Sequence, residues 1–150
     1  MKNFTKYLFS THEKYLCTGN SCRSQMAHGF MKFYGGHKVA VYSAGIETHG
    51  LNQHAVSIMK EAGIDISEHT SNHVDEYADI SFDHIITVCD HANENCPYIP
   101  SENAQRWHKN FSDPSKLASE DENEIHAAFA ATRDEIKDYC KTFIKSYLLG

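Results

Sequence analysis

Eight consecutive residues, Cys17-Thr18-Gly19-Asn20-Ser21-Cys22-Arg23-Ser24, have the types needed to hold a tetrahedral anion and attack it. Cys17 supplies a thiol nucleophile. Arg23 offers a planar fork that grips two oxygens at once. Gly19 and Asn20 tolerate the left-handed conformations of a tight curl. In such a curl the backbone N–H groups point at one anion, and the start of a following helix adds positive potential. Thr18, Gly19, Asn20, Ser21, Cys22, Arg23 and Ser24 are therefore the candidate substrate-binding residues. The same donors are expected to lower the pKa of Cys17 and keep it a thiolate at neutral pH. A Cys followed six positions later by Arg is weak evidence alone; the Gly, Asn and two Ser between strand and helix signals strengthen it.

Such a loop needs a strand before it and a helix after it. Tyr15-Leu16 gives a weak strand signal. Ser24 to Tyr34 carries Met26, Phe30 and Phe33 at helical spacing and ends at Gly35-Gly36. Val39 to Tyr42 reads as a short buried strand. Leu51, Ala55, Ile58, Met59 and Ala62 mark a second helix stopped by Gly63. Phe82 to Val88 is the best strand in the chain, and Arg106-Trp107-His108 a short last one. Ile125, Phe129, Ile136, Cys140, Phe143 and Tyr147 define a long C-terminal helix, acidic at its start and lysine-rich at its end, as its macrodipole favours. Alternating strands and helices predict a single α/β domain over 1–150, with a four-stranded parallel sheet and helices on both faces. Ligands then belong at the carboxyl ends of the strands.

The loop, extended through Gln25-Met26-Ala27, resembles that of the arsenate reductases sharing the fold of low-molecular-weight tyrosine phosphatases. Val41-Tyr42-Ser43-Ala44-Gly45 and Gly63-Ile64-Asp65-Ile66-Ser67 are similar too, and the resemblance runs from about residue 14 to the C-terminus. Two further cysteines separate reductase from phosphatase. Cys89 directly follows the best strand, and Cys96 lies seven residues on. A phosphatase needs one cysteine; a reductase needs two electrons, which a thiol pair can supply. Cys17, Cys89 and Cys96 can pass a disulfide outward by successive thiolate attacks. The polar stretch Asp90 to Asn95 suits a segment that must change shape. Two alternatives stay open for Cys89 and Cys96: small buried hydrophobes, or zinc ligands with His84 or His91, although their gap exceeds the usual spacing. The resemblance implies thioredoxin as the final reductant. It also implies a general acid at Asp113 of Asp113-Pro114, which alone is turn chemistry. Phosphatases usually carry a Tyr after this Pro; here Ser115 stands there.

Two features depart from that pattern. The residues before Cys17 are polar, His12-Glu13-Lys14, and Lys-Tyr-Leu occurs at both 6–8 and 14–16. The strand is expected at 13–17, with 1–12 an atypical stretch. Some family members hold potassium near the loop. Asn20, Ser43 and Thr70 match that pattern, but His28 and Asn72 replace its two carboxylates, so no specific potassium site is expected.

The chain has 150 residues, enough for one domain with a substantial core. Its net charge of −6 makes nucleic acid an unexpected partner. Five cysteines, an odd number, argue against a disulfide scaffold and suit a reducing cytoplasm. Cys140 falls on the apolar stripe of the last helix and reads as core. The eleven histidines mostly scatter over polar segments and read as surface residues unless a structure clusters them. The opening residues hold too short an apolar run for a signal peptide, and no membrane span is found. The expectation is a cytoplasmic, monomeric arsenate reductase with no bound cofactor, its site Cys17, Arg23, Cys89, Cys96 and Asp113. The alternatives are a tyrosine phosphatase and a non-catalytic anion- or metal-binding module.

Overall fold

The computed structural model describes residues 13–18, 21–45, 50–70, 72–88 and 103–148. Four parallel strands form one sheet in the order β2-β1-β3-β4: β1 is Glu13–Thr18, β2 Val39–Ala44, β3 His84–Thr87 and β4 Gln105–His108. Among the described residues three α-helices accompany them: α1 Ser21–Gly35, α2 Gln53–Glu61 and α3 Glu122–Tyr147.

β1 is central, and Tyr15, Leu16 and Cys17 are all buried, as a parallel strand covered on both faces requires. Its polar start is accommodated at the sheet end. Glu13 Oε2 lies 3.2 Å from His84 Nε2 on the neighbouring strand. Trp107 Nε1–H donates to His84 Nδ1 over 3.1 Å, which leaves Nε2 to face the carboxylate. The strand thus begins at Glu13, as expected. The stretch 1–12 lies outside the described residues.

Alternation along the strands feeds two cores. Tyr15, Cys17 and Ile86 pack with the apolar faces of the three α-helices. Leu16, Ala44 and Ile85 pack with Phe82 on the opposite face, joined by Tyr42, Val74, Tyr77 and Ile80. A 3-10 turn at Val74–Tyr77 carries two of these side chains, so helical segments cover both faces. Burying one such aliphatic or aromatic side chain contributes about 1.5–3 kcal/mol.

The helix ends follow their capping chemistry. Asn52 Oδ1 accepts from the N–H groups of His54 and Ala55 at the start of α2, and Gly63 (φ +84°) lies just beyond its end. Asp121 caps α3 through Asn123 N–H, 2.8 Å away. α3 buries Phe129, Thr132, Ile136, Cys140, Phe143 and Ile144, so Cys140 is core. α1 differs from the expected stripe. It starts three residues earlier, and Phe33 is 63% exposed. Met26 and Phe30 are buried as expected, and Ala27 and Met31 rather than Phe33 complete the buried face.

Candidate anion-binding and active site

The run that begins at Cys17 crosses from strand to helix. Cys17 and Thr18 end β1, and α1 starts at Ser21. Gly19 and Asn20, between them, lie outside the described residues. The junction places Cys17 at the carboxyl edge of the sheet and Arg23 in the first turn of α1, where the helix dipole is positive.

Arg23 is fully buried. Its Nη1 donates to the Phe111 carbonyl over 2.6 Å, and its Nη2 stands 3.8 Å from Asp113 Oδ2. Both partners come from the segment after β4. That segment is tied down at several points. Lys109 N–H donates to Thr87 O over 3.0 Å. The Phe111 ring is buried against Tyr139, and Thr132 of α3 donates to Ser112 O over 3.3 Å. Asp113 then caps a 3-10 turn, Pro114–Lys116, whose first residue is buried. The structure therefore brings together Cys17, Cys22, Arg23, Ser24 and Asp113 around one end of β1.

Burial works against the expected thiolate at Cys17. Burial pushes its thiol up to about 12. Cys22 is also pushed up to about 12, by burial and then by the nearby Asp113 carboxylate, against a lowering effect of Arg23. At Cys22, desolvation and the Asp113 carboxylate together outweigh the lowering effect of Arg23. Cys140 is raised too, by burial and then by Cys17.

Behind the loop lies a polar cluster that the residue pattern does not reveal. Gln25 Nε2 donates to Thr70 O over 2.8 Å, and His69 Nδ1–H donates to Gln25 Oε1 over 3.0 Å. His28 Nδ1 lies 2.8 Å from Ser43 Oγ, and the His28 and His69 rings stack 4.2 Å apart. Burial, followed by His69 and Lys32, lowers the His28 pKa to about 3. His28, His69 and the buried His84 thus correct the reading of the histidines as surface residues. Their chain separation hides them: His28 and His69 meet only when α1 packs beside the loop after α2.

Cys89 and Cys96 lie outside the described residues, as does His91. The chain leads toward Cys89 from a defined point, because Val88 N–H donates to Thr18 O over 3.0 Å. Among the described residues no group of three or more His, Cys, Asp or Glu side chains could hold a metal ion. His84, one candidate zinc ligand, has Nδ1 engaged by Trp107 and Nε2 by Glu13. No helix among the described residues is long and apolar enough to cross a membrane.

The central strand of this parallel α/β sheet thus runs into the Cys17-to-Arg23 segment, with Asp113 brought beside Arg23. The model of the low molecular weight phosphotyrosine protein phosphatase family matches residues 14–148, and the chain belongs to that family. The chain is 52% identical over 132 residues to an arsenate reductase of Halalkalibacterium halodurans, covering 88% of this chain and 94% of that one. It is 50% identical over 129 residues to arsenate reductase 1 of Staphylococcus epidermidis, covering 86% of this chain and 92% of that one. A solved structure described as an arsenate reductase in the phosphate binding state superposes with a TM-score of 0.71 at 29% identity, covering 91% of this chain and 98% of that one.

Proposed function

We propose that this protein reduces arsenate to arsenite with its own cysteines and is recycled by thioredoxin. The observation that carries the reading is the Val88–Thr18 hydrogen bond. It fixes the chain one residue before Cys89 against the chain one residue after Cys17. Relatives at about half identity that bear the reductase name support the same choice over a phosphatase.

The chemistry balances as follows. Cys17–SH and HAsO4²⁻ give Cys17–S–AsO3²⁻ and water. The sulfur–arsenic bond forms, one arsenic–oxygen bond breaks, and the thiol proton ends in the water, with Asp113 delivering it to the departing oxygen. Arg23 and the loop N–H groups hold the oxyanion. The Cys89 thiolate then attacks the Cys17 sulfur. The sulfur–sulfur bond forms, the sulfur–arsenic pair of electrons stays on arsenic, and arsenite leaves. Cys96 attacks Cys89, freeing Cys17, and a thioredoxin dithiol reduces the Cys89–Cys96 disulfide.

A potassium ion does not fit the residues that would hold it. The Ser43 hydroxyl is engaged by His28 and Gln25, Thr70 Oγ1 donates to Asn72, and neither His28 nor Asn72 brings a carboxylate. Activity is expected to be insensitive to potassium at constant ionic strength. Supplying arsenate, thioredoxin, thioredoxin reductase and NADPH tests the main reading: NADPH oxidation that depends on arsenate supports it, and no turnover with active partners overturns it.

A further inference from the structure

Asp113 is held unusually tightly for a turn residue. Its Oδ1 accepts the Ser115 N–H over 3.0 Å and the Ser115 hydroxyl over 2.6 Å. The backbone bond is the ordinary one of an aspartate capping a turn. The hydroxyl bond exists only because the second residue after Asp113 is a serine. The other oxygen, Oδ2, is buried, accepts no hydrogen bond among the described residues, and is the one that faces Arg23 Nη2 at 3.8 Å.

The two oxygens of a carboxyl group are equivalent until the surroundings distinguish them. A half-turn about the terminal side-chain bond exchanges them at little cost, because that torsion is broad and two-fold. Here two donors converge on Oδ1. A proton on Oδ1 would face the Ser115 N–H, an obligate donor, which favours the proton on Oδ2, on the side of Arg23. Without the hydroxyl, one backbone bond alone resists the rotation.

We propose that Ser115 is a positioning residue for the proton transfer: its hydroxyl fixes the Asp113 carboxyl so that Oδ2 is the oxygen that delivers the proton to the departing arsenate oxygen. No electrons move in this step. The proton leaves Oδ2 for the oxygen whose bond to arsenic breaks, and that oxygen departs as water. The proposal rests on the reading of Asp113 as the acid.

The experiment measures kcat/KM for arsenate against pH, with thioredoxin in excess, for the wild-type protein, Ser115→Ala, Ser115→Thr, Asp113→Asn and the Asp113→Asn/Ser115→Ala double variant. A thermal melt of each variant confirms the fold. General acids contribute about 10²–10⁴-fold, so Asp113→Asn should lose about 100-fold or more. Ser115→Ala should lose about tenfold in kcat with KM within about twofold. Ser115→Thr, which keeps the hydroxyl, should restore most of the rate. In the Asp113→Asn background, removing the hydroxyl should cost nothing more, because Ser115 acts through Asp113. Full activity in Ser115→Ala with a depleted Asp113→Asn overturns the role of Ser115 and leaves the acid in place. A Ser115→Ala loss that persists undiminished in the double variant also overturns it, as a structural effect. Full activity in Asp113→Asn overturns the acid and the proposal together.

Discussion

Arg23 and Phe111, 88 residues apart in the chain, are joined by a 2.6 Å hydrogen bond from the guanidinium Nη1 to the main-chain carbonyl. The bond couples the helix that follows the anion loop to the segment that carries Asp113. A guanidinium can hold a carbonyl on one nitrogen and present others to an oxyanion; an ammonium cannot. Arg23→Lys is therefore expected to lower kcat/KM for arsenate by about 10²–10³-fold, measured in the thioredoxin-coupled assay. A loss below about fivefold would show that charge alone suffices.

The buried thiol of Cys17 gives a second expectation. With its pKa near 12, alkylation by iodoacetamide in a buffer free of phosphate, sulfate and arsenate should climb steadily with pH. Peptide mapping should show about a tenfold increase in Cys17 labelling per pH unit from neutrality upward. A plateau that begins below pH 8 would reveal a preformed thiolate.

His28 makes folding sensitive to acid. The folded protein holds it neutral, with a pKa lowered from 6.5 to about 3. In that interval the unfolded chain binds the extra proton. The stability tied to a neutral His28 is therefore complete above pH 6.5 and declines as pH falls toward 3, by up to about 1.4 kcal/mol per pH unit. Urea unfolding at pH 7.5 and pH 5.0 checks this. The wild-type protein should lose about 2 kcal/mol more than His28→Gln between those values. Parallel losses in the two proteins would contradict the burial of a neutral ring.

Cys140 separates packing from electron transfer. It is buried on α3 against the carbonyl of Ala27. Cys140→Ala should cost about 1 kcal/mol of stability while thioredoxin-linked turnover continues. Turnover that stops after one arsenite would place Cys140 in the relay.

How far the sequence speaks depends on the range of the interaction. The helices were legible because their signals are local: Gly63 stops one, and the 125–147 stripe keeps to spacings of three, four and seven, whereas the caps Asn52 and Asp121 emerged only in the structure. The strand at 13–18 was legible despite Glu13, but the reason it is tolerated was not. That reason is His84 and Trp107, brought in from β3 and β4. Cys17, Arg23 and Asp113 could be singled out by residue type. Their junction could not, because a main-chain carbonyl such as that of Phe111 carries no side-chain signature. The burial of Cys17 was not legible for a related reason: a residue list shows the donors around a thiol but not its depth.

The central claim is that the chain's own cysteines supply both electrons, and one single-turnover measurement reaches it. The protein is fully reduced, freed of reductant and mixed with arsenate; released arsenite is counted and disulfides are mapped. The wild-type protein should release one arsenite per molecule and end with a Cys89–Cys96 disulfide. Cys96→Ser should also release one and stop as Cys17–Cys89, whereas Cys17→Ser and Cys89→Ser should release none. Absence of arsenite from the reduced wild-type protein, or its undiminished release from Cys89→Ser, would contradict the account.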